Sequence, residues 1–116
     1  MDRGEIWLIN LDPTTGAEIR KTRPVVIVSS DAIGVLPLRV VVPLTDWKNH
    51  YQSAAWMVKI SPNKNNGLAK DSAADTFQIR SVSTTRFVQK MGEISQGEMN
   101  KIVNAIALVI EYTPIN

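Results

Sequence analysis

Cysteine is absent from the 116 residues. Disulfide staples and thiolate metal sites are therefore excluded, and the fold must stand on packing alone. Histidine is almost absent: His50 is the single imidazole. A zinc site would need carboxylates nearly unaided, and a Ser–His–Asp triad would have to use this one loop residue. No serine sits in a Gly-x-Ser-x-Gly elbow, and neither a Gly-x-Gly-x-x-Gly run nor a Walker loop is present. No apolar stretch approaches the roughly 20 residues needed to span a bilayer. The opening "MDRGEIWLIN" mixes charge into its apolar residues, unlike a secretory leader. The expectation is a cytoplasmic protein with no membrane partner.

Charge of one sign is not in excess either. The net charge is +2, and like charges form no block. Mild basicity permits a nucleic-acid partner without arguing strongly for one. Hydrophobic residues at 44% and charged residues at 21% are ordinary globular values, and the length fits one domain over 1–116.

What is present is a succession of short apolar runs. "EIWLINL" (5–11), "RPVVIVSS" (23–30) and "LRVVVPLT" (38–45) read as strands. Pro24 suits a strand's first position, while Pro43 suggests an edge or a bulge. "AWMVKI" (55–60) alternates, which puts Trp56, Val58 and Ile60 on one inward face. Asn66-Gly67 is the strongest turn signal. "SAADTFQIRSVS" (72–83) holds one or two strands and "RFVQKMGEI" (86–94) another. Met99, Ile102, Val103, Ile106 and Ile110 then recur at helical spacing. Ser95 and Glu98 fit a capping box, and Pro114 fits a stop after the helix. The fold class is β-rich α+β. A closed or nearly closed barrel plugged by the C-terminal helix would hide both sheet edges and the helix's apolar stripe.

Arg23 is the residue most suited to chemistry. Its planar, permanently charged fork matches a phosphate, and Pro24 fixes the backbone behind it. The competing reading is a surface ion pair with Glu18. If the second and third strands are antiparallel neighbours, the start of one lies beside the end of the other. Arg23 and Thr45 then meet on one rim, unless Thr45 merely begins a turn. Glu18 could accept a proton, or pair with Lys21 or Arg23. Arg20 and Lys21 read as phosphate-steering charges or as a solvated face. Trp47 and Tyr51, in a polar loop with Lys48 and His50, are candidates for stacking on bases. His50 reads as a solvated loop residue or a substrate contact, and Trp56 as core.

Taken together, "RGEIWLINLDPTTGAEIRKTRPVVIVSSD", "VVVPLT" and "FQIRSVSTTRFVQKMGEIS" resemble the MazF/PemK toxins of bacterial toxin–antitoxin pairs. The likeness runs through nearly the whole chain in order. It implies a small plugged SH3-like β-barrel of short strands, acting as a homodimer. It implies a cytoplasmic, sequence-specific endoribonuclease (an mRNA interferase) that cuts single-stranded RNA without metal or cofactor. The products are a 2′,3′-cyclic phosphate and a 5′-hydroxyl. It assigns the catalytic arginine to Arg23, the threonine to Thr45 and the loop glutamate to Glu18. RNA contacts are expected from Thr14, Arg20, Lys21, Trp47, Lys48, His50, Tyr51, Gln78 and Arg80. The implied partner is a cognate MazE/PemI-like antitoxin with a disordered acidic segment. Some members carry Arg-x-Asp-Gln where this chain has Asp75-Thr76-Phe77-Gln78, so an acid–base pair on that segment does not transfer. Asp75 is expected to point elsewhere, towards Arg80. Two rival readings remain: a CcdB-like gyrase poison that cleaves nothing, and a non-catalytic nucleic-acid-binding barrel. The first is disfavoured by the absence of tryptophan in "EYTPIN", the second by the Glu18–Arg23–Thr45 constellation.

Overall fold

Seven short strands and one helix account for the chain, which a computed structural model describes over residues 1–113. The strands are β1 (Glu5–Asn10), β2 (Thr22–Ile27), β3 (Leu38–Asp46), β4 (Met57–Ile60), β5 (Ser72–Asp75), β6 (Arg80–Ser83) and β7 (Phe87–Glu93). Short 3₁₀ turns lie at Asp31–Ile33, Asn49–Ser53, Thr76–Gln78 and Thr84–Arg86, and the helix α1 spans Gln96–Val109. All pairings are antiparallel, in the order β4-β5-β3-β2-β1-β7, with β6 also on β3. That path is open: no ladder joins β4 to β7 among the described residues. The closed or nearly closed barrel expected from the sequence is, over the described residues, an open seven-stranded antiparallel sheet with one C-terminal helix.

β3 is the hub of the sheet. It pairs with β2 on one side, and on the other with β6 through Leu38–Val41 and with β5 through Leu44–Asp46. Pro43 falls where that second side changes partner, so the missing N–H costs no ladder bond there. The proline marks a switch inside a central strand, not the edge its residue type suggests. It is buried and lies opposite Val25.

Alternation along β2 and β3 feeds two cores. Val26, Val42 and Leu44 join Ile6, Ile60, Met99 and Ile102 beneath the helix. Val25, Ile27 and Val41 join Ile9, Leu11 and Val82 on the opposite face. The helix begins at the expected capping box, with both reciprocal Ser95–Glu98 hydrogen bonds made. Its buried stripe is Met99, Ile102 and Ala105, while Val103 and Ile110 are exposed, so the stripe is narrower than their spacing suggested. The stop expected at Pro114 lies outside the described residues.

The β4–β5 connection is pressed onto β7. Gly67 has φ of +69°, and a Cβ there would lie 2.2 Å from the Met91 carbonyl oxygen. Asn66 is fully buried and donates to the Ser61 carbonyl at 2.8 Å. The Asn-Gly signal thus marks a packed turn that closes one end of the sheet.

At the other end, Glu5 is a half-buried electrostatic knot. It accepts from Trp7 Nε1 at 2.8 Å, and it pairs with Lys90 at 3.1 Å and with the N-terminal ammonium at 3.3 Å. Burial alone would raise its carboxyl. The hydrogen bonds from Trp7, the Asp2 backbone, Lys90 and the N-terminus outweigh it and hold the group at about 2.

Candidate active site and nucleic-acid groove

The β2–β3 register fixes the central pair of residues. The β2–β3 ladder ends with Val25 opposite Pro43, and Arg23 and Thr45 lie one two-residue step beyond it, at the start of one strand and the end of the other. Both are half-exposed, and both line an open groove of about 340 Å³ with Thr22, Asp46, Lys70 and Ser72. The rim predicted from strand order is therefore real. Arg23 is held by one long hydrogen bond, Nε to the Arg20 carbonyl at 3.4 Å. Among the described residues it makes no ion pair, which rules out the expected alternative of a bond to Glu18. Its terminal nitrogens are left for a ligand. Lys70, which sequence reading passed over, stands across the groove and pairs with Asp46 at 3.0 Å.

Glu18 is elsewhere. It lines a second cavity of about 480 Å³ with Leu11, Ile19, Pro43, Phe77, Gln78 and Arg80, and does not line the Arg23 groove. The two cavities share no lining residue, and β3 serves both, with Pro43 in one and Thr45 in the other. The Glu18 carboxylate accepts from the Thr15 backbone N–H at 2.5 Å, which ties it into its own loop.

That loop is held by distant side chains. The Gln78 amide uses both ends: its oxygen accepts from Ile19 N–H at 2.6 Å and its nitrogen donates to the Ala17 carbonyl at 3.1 Å. Arg80 donates to the Leu11 carbonyl at 3.4 Å, and Arg86 donates to the carbonyls of Asn10 and Asp12. Asp12 in turn accepts from Lys21 N–H, whose φ of 69° turns the chain back into β2. Gln78, expected to touch RNA, thus spends its amide on the loop. Asp75 does not reach towards Arg80. It is buried and caps the turn at Thr76–Gln78, accepting from Phe77 N–H at 3.1 Å. Burial pushes its carboxyl up, against the opposing pull of the Phe77 and Gln78 hydrogen bonds.

The aromatic assignments are reversed. Trp47 and Tyr51, expected to be exposed, are half-buried and pack edge-to-face at 5.8 Å, with Lys59 Nζ 5.3 Å from the Trp47 ring centre. His50 is exposed and leans on Tyr51 at 4.7 Å. Trp56, expected in the core, is 40% exposed and packs edge-on against Phe77, itself 65% exposed. Thr14 is half-buried, whereas Arg20, Lys21 and Lys48 are exposed around the loops.

Residues 2–110 match the family of PemK-like, MazF-like toxins of type II toxin–antitoxin systems. The chain is 34% identical to "Endoribonuclease MazF9" of Mycobacterium tuberculosis, over 96% of this chain and 97% of the relative. Among solved structures it resembles MazF from Deinococcus radiodurans, with TM-score 0.79 and 20% identity over 96% of each chain. It also resembles a mycobacterial endoribonuclease in complex with its cognate antitoxin, with TM-score 0.77 and 21% identity over 99% of each chain. At these identities the two structures speak for the fold alone.

Proposed function

The chain belongs to the PemK-like, MazF-like toxin family, and from that premise we propose how its groove works. The protein is an endoribonuclease toxin that cuts single-stranded RNA and is held in check by a cognate antitoxin. The observation that carries the mechanism is that Arg23 and Thr45 line one open groove, with no ion pair on the guanidinium among the described residues.

The reaction needs no group the RNA does not carry. The 2′-oxygen bonds to the adjacent phosphorus, the bond to the 5′-oxygen breaks, and a cyclic phosphate and a 5′-hydroxyl result. The 2′-hydroxyl proton passes to water and the leaving oxygen takes one up, for Glu18 lines the neighbouring cavity and not this groove. Negative charge builds on the phosphoryl oxygens on the way. A fixed guanidinium beside those oxygens stabilises that charge more than it stabilises the bound substrate. Thr45 orients one oxygen through its hydroxyl. The Lys70 charge is matched by Asp46 on the same groove, which leaves Arg23 as the unpaired cation there among the described residues.

Around this centre we class the curled sheet with the plugged SH3-like barrels. Support comes from the way β3 bends between β6 and β5 while the helix covers the core on one face. The working form is a homodimer in the cytoplasm. An acidic segment of the antitoxin occupies the Arg23 groove, where Arg23 offers a complementary charge.

Incubation with mixed RNA in EDTA, followed by end-group mapping, tests this. Cleavage is expected with 2′,3′-cyclic phosphate and 5′-hydroxyl ends, and a single 2′-deoxy substitution at the cut should block it. Ends of the opposite kind, 3′-hydroxyl and 5′-phosphate, would contradict it. So would an absence of cleavage, which would favour a purely binding barrel.

A further inference from the structure

The groove that holds Arg23 and Thr45 also holds a carboxylate. Asp46 follows Thr45 at the end of β3, about 3.8 Å further along the backbone. Among the described residues it is the one acid on the groove wall. Two contacts fix its place. It stands opposite Ser72 in the β3–β5 ladder, and Ser72 Oγ donates to the Lys70 carbonyl at 3.2 Å. Lys70 Nζ then clamps Asp46 Oδ2 at 3.0 Å. The clamp engages one oxygen and leaves Oδ1 to the groove. Both side chains are more than half exposed, so the pair contributes little to stability. Asp71, the nearest acid along β5, is spent on Lys59 at 3.6 Å and does not line the groove. Glu18 is tied to the Thr15 N–H in the other cavity.

We propose that Asp46 accepts the proton of the RNA 2′-hydroxyl, through one water held on its Oδ1, and that Lys70 positions it. The inference deepens the endoribonuclease reading of the Arg23 groove and rests on it. A negative charge in a groove for phosphates works against binding. What it adds is acceptor capacity: an ionised carboxylate offers about four acceptor positions, and the lysine fills one. In the reaction the O2′–H bond breaks as the O2′–phosphorus bond forms. The water takes that proton and gives one of its own to Oδ1, and the bond from phosphorus to the 5′-oxygen breaks. The leaving oxygen takes a proton from solvent, and the carboxylic acid later returns its proton there. A carboxylate one water away from the hydroxyl is within reach for general-base catalysis. Arg23 and Lys70 are the charged groups that face Asp46 across the groove. Arg23 meets the charge on the phosphoryl oxygens, and Lys70 keeps the carboxylate in place.

Single-turnover cleavage of a defined single-stranded RNA in EDTA, at saturating protein, compares the wild type with Asp46→Asn. Thermal midpoints check that both fold. A plain surface pair and a proton acceptor predict opposite results. Removing a mere surface charge relieves repulsion, so the RNA binds more tightly and is cut at least as fast. Removing the acceptor should slow bond breaking by about 10²-fold, the low end for a general base, while binding holds or tightens. The acid limb of the wild-type pH–rate profile should be missing in Asp46→Asn. Lys70→Gln should slow cleavage less, and Lys70→Arg, which can still clamp the carboxylate, should keep the wild-type rate. An RNA with sulfur in place of the leaving 5′-oxygen needs no proton on departure, so the Asp46→Asn defect should persist on it. Three results would overturn the proposal: Asp46→Asn cutting as fast as the wild type, an unchanged acid limb, or a defect that the sulfur substrate erases. If the wild type cuts no RNA, the endoribonuclease reading falls and takes the proposal with it. That outcome is distinct from an active wild type with an equally active Asp46→Asn protein.

Discussion

Glu5 shows how a single residue ties β1 to β7 and to the chain's N-terminal ammonium. Its carboxylate is charged in the fold down to about pH 2, whereas in the unfolded chain it titrates near 4.5. The folded value is the lower one. The stabilisation is therefore complete above about pH 4.5 and is lost as pH falls through about 2. Asp75 works in the opposite direction: its raised carboxyl favours the protonated fold, and that contribution is lost as pH rises through its folded value. Glu5→Gln should cost about 2 kcal/mol at pH 7, as expected for charge-assisted hydrogen bonds, and the cost should shrink towards pH 2. Urea titrations of both proteins across that range check it. A constant difference at every pH would show that the knot is held by shape and not by charge.

At the scale of elements, the sequence disclosed pattern and hid position. Apolar runs located the strands, and the capping box located the helix start, because both signals are local. The meeting of Arg23 with Thr45 was also legible, since it follows from two adjacent antiparallel strands. What escaped notice depends on contacts far apart in the chain. Gln78 holds a loop 59 and 61 residues away, and nothing in the intervening sequence records that. Trp56 differs from its expected core position for a local reason. A turn, with Met57 N–H donating to the Ala54 carbonyl, delays β4 until Met57, so the alternation assumed from Trp56 begins one residue too soon. Phe77 was legible only as a departure from a pattern, and in the fold it is largely exposed and lines the cavity that holds Glu18. The packed β4–β5 turn makes a further prediction. A Cβ at Gly92 would lie 2.3 Å from the Asn65 carbonyl oxygen and 2.6 Å from the Asn66 carbonyl carbon, both backbone atoms that cannot turn aside. Gly92→Ala should destabilise the fold by about 2–3 kcal/mol, the upper range for an overpacked site. Thermal unfolding measures this, and an unchanged midpoint would mean the turn is free to lift off β7.

The whole molecule is a rigid sheet that serves two cavities from the end of one strand. β3 carries Pro43 into the cavity with Glu18 and Thr45 into the groove with Arg23. Both residues sit on a strand held by β2 on one side and by β5 and β6 on the other. The measurement that probes this most directly is single-turnover cleavage of one defined RNA in EDTA by the wild type and by Arg23→Ala, with folding of both checked by their thermal midpoints. Losing the fork should slow the bond-breaking step by about 10²–10³-fold or more, the scale for removing one preorganised group from a developing anion. RNA binding should weaken far less. A folded Arg23→Ala protein that cuts as fast as the wild type would contradict the account.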